Sequence, residues 1–500
     1  MAREAAAFRA VRQGGVEMGA QMEGTSGAAG RCPLEKRGCG GCPMLSLPYG
    51  EQLRAKQARL EALLGEFGPV APILGMEHPW HYRNKVISSF AWGPGKALVS
   101  GIYAQGTHRV VPVESCLLHQ EALDRAVAAV RQAAREFRYQ PFDENRRTGL
   151  IRHVLCRHSL TTGEVLAVLV TASPVLPGAR AFAARVKELC PAIATLAQNI
   201  NPRPGSAVLG EREKILYGRG YIEDTLCGVR FRISPSSFYQ INPVQTQVLY
   251  SAAIAAAKLT GKERVLDAYC GVGTIGLSAA AHAGSVVGVE LNRSAAACAG
   301  ENAKANNIRN ACFRCGDAAA FLDGMAARGE KLDVVFLDPP RAGSTPVFLD
   351  ALCRVSPARA VYISCNPETQ RRDLEYLAAR GWRAESIQGV DMFPHTEHIE
   401  TVVLLSKLNT KQHIEVELNL DELDLTSAES KATYDEIKAY VLEKHGLKVS
   451  SLYISQVKRK CGLDVGQNYN LSKKEDAKVP QCPPEKEAAI MAALKHFRMI

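Results

Sequence analysis

The sequence predicts an α/β protein built on a Rossmann-like, doubly wound parallel sheet, with a smaller α+β region ahead of it. Three observations carry this. From about residue 263 to residue 405, apolar runs of strand length alternate with helical periodicity, the pattern of a parallel sheet covered by helices. The first run opens into Gly271-x-Gly273-x-x-Gly276, where a strand turns tightly into a helix and the backbone can approach a ligand closely. Before residue 232 the strand-like runs are shorter and lie between turn residues, with one alternating at period two, as a half-buried strand does.

The totals bound the function. The chain has 500 residues, room for two or three domains. No stretch approaches the ~20 apolar residues of a membrane span. No apolar signal core opens the chain, so a cytoplasmic protein is expected. The 15 cysteines are scattered rather than framed as in small secreted domains, which predicts thiols and a metal site. The net charge of +10 falls before Lys411, beyond which acids and bases balance. That excess suits a polyanionic partner or plain solubility.

In chain order, residues 1–31 are Ala- and Gly-rich and predict a disordered leader. Cys32, Cys39 and Cys42 follow within eleven residues, with two glycines between the last pair. Cys116 is the next thiol and a candidate fourth ligand. Spacing alone leaves iron–sulfur and zinc open; one long gap after three close thiols suits a [4Fe–4S] cube better than paired zinc knuckles. Tyr49 to Leu64 has helical apolar spacing, with Arg54, Lys56 and Arg59 on a face expected to be solvated. Trp80-His-Tyr-Arg83-Asn-Lys85 interleaves rings and cations, which suits unpaired bases and phosphates. Strands are predicted at 86–90, 97–103, 150–158, 165–170 and 195–200, and helices at 121–137 and 181–189. Arg152, His153, Arg157 and His158 then predict a basic sheet face. The turn-rich, aromatic segment 231–243 marks a boundary, giving one region over 32–232 and a second over 233–408. An acidic linker (409–430) and a small helical module (431–500) complete the chain, the module carrying a Lys458-Arg-Lys460 run read as a solvated helix face.

In the second region the predicted strands 263–268, 286–290, 311–314, 332–337 and 360–363 are separated by helices, placing Gly271, Glu290, Asp338 and Cys365 along one rim. Glu290 lies 19 residues past Gly271, where a carboxylate can bind ribose hydroxyls. With Asp267 on the first strand and a later Asp338-Pro-Pro, the pattern points to S-adenosylmethionine (SAM) rather than NAD. An isolated thiol is most often a buried structural residue. Cys365, however, follows a short buried strand at a break made by Asn366-Pro367, where such folds place their chemistry.

From Cys32 to Lys407 the chain resembles the bacterial class I RNA uracil-5 methyltransferases, in particular the iron–sulfur members acting on 23S rRNA. The motifs that carry the resemblance are the Gly-Gly-Cys cluster, Phe238-Tyr-Gln-Ile-Asn242, Asp267-Ala-Tyr-Cys-Gly271, Asp338-Pro-Pro-Arg341, Ser364-Cys-Asn-Pro367 and His395-Thr-x-His398-x-Glu400, in family order. The resemblance implies that Gln240, Tyr269, Glu290 and Asp338 contact SAM, with Asp317 near the adenine. It implies Cys365 as nucleophile, Glu400 as base, and Cys32, Cys39, Cys42 and Cys116 as ligands of a [4Fe–4S] cluster. An RNA partner is expected, 23S rRNA ahead of tRNA, with a monomeric enzyme and no membrane. The spacing from Cys32 to Cys39 is one residue longer than the family's, and Thr274 stands where some members carry Asn. Methylation of an exocyclic amine is disfavoured by Arg341 after the prolines, where those enzymes usually carry Tyr. A non-catalytic RNA-binding protein on the same fold is the other rival.

Overall fold

The computed structural model describes residues 32–203, 205, 207–407, 434–461, 481–497 and 499. The predicted leader and linker lie outside them. Two compact units divide the chain, residues 1–410 and 411–500.

The first unit opens with the Cys32–Cys42 segment, helix α1 (Tyr49–Leu64) and strand β1 (Val70–Leu74). Strands β2 (Lys85–Trp92), β3 (Leu98–Tyr103) and β4 (Val110–Pro112) lead to α2 (Glu121–Glu136). Then come β5 (Ile151–His158), β6 (Val165–Thr171), α3 (Ala179–Leu189), β7 (Ile193–Ile200) and β8 (Arg212–Tyr217). Together these strands form a seven-stranded sheet of order β4-β3-β2-β5-β6-β7-β8. All its pairs are antiparallel except β6 with β7, because α3 supplies the crossover a parallel pair needs. The apolar stripes of α2 and α3 cover one face through Leu123, Val130 and Phe182.

The basic face expected on this sheet is absent at β5. That strand lies between β2 and β6, and Arg152, His153 and Arg157 are buried. Their charges and dipoles are answered internally. Arg152 donates to the carbonyls of Asn201 and Arg203 and to Glu144, Arg157 donates to the Ser237 carbonyl, and His153 bonds Ser89. The turn-rich boundary segment also begins as a strand, since β10 (Val229–Ile233) forms a hairpin with β9 (Ile222–Leu226).

Next come α4 (Pro243–Ala257), β11 (Arg264–Ala268), α5 (Thr274–Ala279), β12 (Ser285–Glu290), α6 (Arg293–Ala305), β13 (Ala311–Cys315) and α7 (Ala318–Ala327). They are followed by β14 (Val334–Leu337), α8 (Pro346–Val355), β15 (Arg359–Ser364), α9 (Pro367–Ala378), β16 (Trp382–Val390) and β17 (Glu400–Lys407). The second sheet has eight strands in the order β1-β16-β17-β15-β14-β11-β12-β13. Its pairs are parallel except at β17, which runs antiparallel to both neighbours. The all-parallel expectation fails there because the connection from β16 to β17 (391–399) holds no helix and is too short for a crossover. Helices cover both faces, so β14 and β15 read as continuous apolar runs.

The expected region 32–232 also divides differently. β1 pairs with β16 at the edge of the second sheet, and α1 packs Leu60 and Leu64 into that sheet's core. Gln52, Lys56 and Arg59, spaced by one and two helical turns, point away from bulk water at their first two positions, with Gln52 0% and Lys56 2% exposed. Lys56 Nζ pairs with Asp391 Oδ1 at 2.5 Å, and the Tyr49 hydroxyl donates to Asp391 Oδ2 at 2.7 Å. A solvated polar face was expected; Arg54 and Arg59 are exposed as expected, but Lys56 is buried, with Gln52 beside it.

The second unit comprises α10 (Tyr434–His445), α11 (Ser451–Lys460) and α12 (Pro484–His496) around Ile437, Val441, Ile454, Val457, Ile490 and Leu494. Its basic run is not a solvated face throughout. Lys458 is buried with Nζ 4.6 Å from the centre of the Tyr434 ring, and Lys460 pairs with Glu487 at 2.8 Å.

Removing one partner of a buried ion pair strands the other charge and costs about 3–5 kcal/mol, whereas removing both costs less. Urea denaturation of Lys56→Met should show a loss of that size, and Lys56→Met/Asp391→Asn should regain a large part of it. Equal losses in the two variants would contradict the pairing.

Candidate active site

The carboxyl ends of β11, β12, β14 and β15 form one rim. At the end of β11, Tyr269 adopts φ 65° and is followed by Gly271 at φ 55° and Gly273 at φ 84°. These left-handed conformations favour glycine. A Cβ on Gly273 would fall 2.9 Å from the Phe313 ring, whereas one on Gly271 would meet nothing within 4 Å. The turn is therefore packed tightly behind Gly273 and open beside Gly271. Asp267 Oδ2 accepts from Gly276 N–H at 2.7 Å, while its buried Oδ1 has no partner among the described residues. Burial, with Asp338 and Glu290 nearby, pushes the Asp267 carboxyl up to about 7.

Glu290 closes the turn. Its Oε2 accepts from Gly271 N–H at 3.1 Å and its Oε1 from Asn292 N–H at 2.7 Å. Asp317 caps α7 by accepting from Ala320 N–H at 2.8 Å. The preceding Gly316 N–H donates to the Glu290 carbonyl at 2.9 Å, so Asp317 stands beside Glu290. Tyr269 packs its ring against Phe348, and burial, with Asp317 near, raises its phenol. The structure thus brings Tyr269, Glu290 and Asp317 around one turn. A carboxylate-ringed, glycine-opened turn of this kind fits the hydroxyls and cationic sulfur of SAM, with an orphaned carboxylate oxygen still to be satisfied. Gln240 lies on the segment leading into α4, where its carbonyl accepts from Asn84 Nδ2 at 3.1 Å. No hydrogen bond joins its side chain to the turn among the described residues.

Cys365 and Glu400 are brought together by strand register. β15 and β17 pair antiparallel with Ser364 opposite Thr401. The residue after Ser364 and the residue before Thr401 therefore meet at the same sheet end. Asp338 follows Leu337, which pairs with Tyr362, one strand away. Thr401 Oγ1 donates to the Ser364 carbonyl at 3.1 Å or to Gln370 Oε1 at 2.6 Å, and Gln370 Nε2 donates to the Tyr362 carbonyl. Asn366 caps α9 and donates through Nδ2 to the Arg341 carbonyl at 3.2 Å, joining the Cys365 turn to the Asp338-Pro-Pro-Arg341 turn.

Charge in this corner is contested. Burial is the largest effect on the Cys365 thiol and raises it; Glu400 and Asp338 raise it further, and Arg341 opposes them. Burial likewise lifts Glu400 well above the ordinary carboxylate range, with Asp338 adding and Arg341 opposing. Burial alone takes Asp338 up to about 7. A cavity of about 190 Å³ opens onto Cys365, lined also by Arg59, Arg341, Glu397 and His398. Arg59 comes from α1 and was not among the expected site residues. Its i+7 spacing from Gln52 and i+3 spacing from Lys56 was the available signal for an inward polar face.

Cys32, Cys39, Cys42 and Cys116 all line a second cavity, of about 50 Å³. Burial raises Cys39, and takes Cys42 up to about 12. Burial is the largest effect on Cys116 and raises it, but the His119 side chain and the Leu118 and His119 backbone together outweigh it and leave the thiol below its usual value. Among the described residues no three His, Cys, Asp or Glu side chains are grouped to hold a single metal ion. The four-sulfur donor set matches the chemistry of an iron–sulfur cluster, which bonds to thiolates.

A family model described as tRNA (Uracil-5-)-methyltransferase matches residues 205–408. An uncharacterised RNA methyltransferase of Halalkalibacterium halodurans is 39% identical over 76% of this chain and 83% of its own length. One from Bacillus cereus is also 39% identical, over 75% of this chain and 83% of its own. The crystal structure of Pyrococcus abyssi tRNA (uracil-54, C5)-methyltransferase with S-adenosyl-L-homocysteine superposes with a TM-score of 0.61 at 27% identity, covering 73% of this chain and 86% of that one. With that relatedness and a SAM-type turn beside a strand-end thiol, the chain belongs to the SAM-dependent RNA uracil-5 methyltransferase family.

Proposed function

We propose that the protein methylates C5 of a uridine in RNA, 23S rRNA in preference to tRNA, with Cys365 as nucleophile and Glu400 as base. The observation that carries this reading is the register that sets Cys365, which lines the cavity, next to Glu400 at one sheet end. Uracil C5 is too weak a nucleophile to take a methyl group unaided. In the proposed reaction the Cys365 thiolate forms a bond to C6, and the C5–C6 electron pair moves towards C5 as an enolate with its charge on O4. Arg341, lining the cavity, is suited to balance that charge. C5 then attacks the methyl carbon of SAM, whose bond to sulfur breaks with its electron pair to give S-adenosylhomocysteine. Glu400 removes the C5 proton, the C5–C6 double bond reforms, and sulfur leaves C6 with the electron pair of the broken bond.

SAM would be held by Tyr269, Glu290 and Asp338, with Asp317 toward the adenine and Gln240 completing the set. Glu290 fits the ribose because its oxygens are already fixed by two backbone N–H groups. The target base has to leave its stack to reach a thiol in a cavity, which favours an unpaired or splayed loop. Cys32, Cys39, Cys42 and Cys116 would hold a [4Fe–4S] cluster. Methyl transfer needs no electron, so the cluster is assigned a structural or RNA-binding role. A monomer in the cytoplasm is proposed, and no helix among the described residues is long and apolar enough to cross a membrane. tRNA is the second reading, favoured by the description of the family model and by the substrate in the name of the P. abyssi enzyme; the four-thiol cavity favours rRNA only through the family resemblance.

Three outcomes test these roles. With unmodified rRNA or tRNA and labelled SAM, the protein should form 5-methyluridine and Cys365→Ala none; Glu400→Gln should retain methylated RNA on the protein through denaturing electrophoresis. 5-Methyluridine in neither RNA would sink the reading. Alkylation of Cys365 by iodoacetamide, followed by mass spectrometry of its peptide, should accelerate with pH only above the usual thiol range. Asp338→Asn removes a negative neighbour and should shift that rise to lower pH; Arg341→Gln removes the opposing cation and should shift it to higher pH. Protein purified without oxygen should carry about four iron and four sulfide per chain, as a cube requires, and Cys116→Ala should lose them. Stoichiometric zinc instead would contradict the cluster.

A further inference from the structure

The segment 391–399 joins β16 to β17 and delivers Glu400. It has no helix or sheet of its own, yet it is held at successive points by one helix. Gln52 of α1 donates through Nε2 to His395 Nδ1 at 3.1 Å and accepts through Oε1 from His395 N–H at 3.0 Å. Lys56, one turn on, pairs with Asp391 and donates to the Phe393 carbonyl at 3.2 Å. Arg59 donates to the Glu397 carbonyl at 3.0 Å. His395 is also clamped from the other side. Its ring stacks on Trp80 at 4.0 Å and 24°, and its Nε2 donates to the Pro79 carbonyl at 3.0 Å. Its carbonyl accepts from Met44 N–H at 3.1 Å, two residues beyond Cys42.

The ring is fixed in one tautomer. Nδ1 faces an amide N–H that only donates, and Nε2 faces a carbonyl that only accepts. Burial holds His395 down at about 4, so it stays neutral. Its backbone sits at φ 66°, strained for a side chain with a Cβ, and persists because its surroundings dictate it. Neither His395 nor Gln52 lines the Cys365 cavity, so neither is a catalytic residue by contact. A strained turn gripped at three points and ending in a buried carboxyl has the form of a support that sets where that carboxyl points.

We propose that Gln52, Lys56 and Trp80, acting through His395 and Asp391, are positioning residues that aim Glu400 at the C5 proton. This rests on the reading of Glu400 as the base, and extends it to residues more than 300 positions earlier in the chain. The consequence is specific to one step. Gln52, Lys56 and Trp80 do not line the Cys365 cavity, so thiol attack and methyl transfer, which depend on Cys365, SAM and the uracil ring, are the steps they affect least. Only the final elimination depends on the aim of Glu400. Loosening the support therefore leaves a methylated RNA still bonded to sulfur.

The test uses the full chain with unmodified RNA and labelled SAM, quenched into denaturant. Gln52→Leu keeps the volume of Gln52 and removes both bonds to His395; Trp80→Ala removes the stack. Each should lower kcat on the order of ten- to a hundredfold and retain several times more labelled covalent adduct than the wild type. KM for SAM should be nearly unchanged. Trp80→Phe, which keeps a stacking ring, should restore turnover. Lys56→Met/Asp391→Asn provides the same readout without an unpaired buried charge, should Gln52→Leu fold poorly. A fall in kcat with no retained adduct, while Glu400→Gln retains it, would overturn the positioning role. No adduct in Glu400→Gln either would instead overturn the assignment of the base, and this inference with it.

Discussion

The antiparallel pairing of β15 with β17 is the constraint on which the site depends. A parallel sheet alone presents strand carboxyl ends along one rim and strand amino ends along the other. Inserting one reversed strand brings the start of β17 to the rim where β15 ends. Two residues 35 positions apart in sequence, Cys365 and Glu400, become register neighbours, and the hydrogen-bond ladder fixes their spacing. The short connection 391–399 makes the reversal obligatory, since it is too short to carry a crossover. Topology therefore brings a thiol that lines a base-sized cavity and a carboxyl to one sheet end before any side-chain interaction is considered.

That placement has an electrostatic consequence. Asp338, Cys365 and Glu400 share a partly buried corner, where Asp338 raises the proton affinity of both Cys365 and Glu400, and Glu400 raises that of Cys365. Arg341 is the cation opposing them. Such a corner holds protons at rest, and a carboxyl with raised proton affinity is a stronger base once it is ionised. In the proposed reaction, moving charge from sulfur to the uracil ring, and then neutralising it with a methyl group, relieves the repulsion at the stage where Glu400 would act. The cap of α9 beginning at Asn366 adds a helix N-terminus next to the thiol, which favours its ionised form.

Much of the second sheet was legible in the sequence because its signals are local. Buried parallel strands are apolar runs, and Gly271, Gly273 and the caps Asn292, Asp317 and Asn366 punctuate them. The apolar run that ends at residue 405 forms β17, but its direction is a property of the chain's path and leaves no mark in the apolar pattern. β5 was misjudged for a related reason. Alternating Arg and His suggested one wet face, but a strand central in its sheet buried both, and Glu144, Ser89 and backbone carbonyls satisfied the polar groups. The polar side of α1 was harder still. Lys56 looks as solvated in sequence as the exposed Arg54 and Arg59 on the same helix, and only its partner Asp391, 335 residues away, explains its burial. Motif residues at the rim could be named because each sits on its own turn; the residues that hold those turns still could not.

The most direct measurement of the central claim is a trap of the covalent step. RNA carrying 5-fluorouridine has no C5 proton to remove, so the last step cannot occur. Incubation with the protein and SAM, followed by digestion and mass spectrometry, should yield one peptide bonded through Cys365 to a fluorouridine that also carries a methyl group. A methylated nucleotide with no protein attached, or attachment at another residue, would contradict the account.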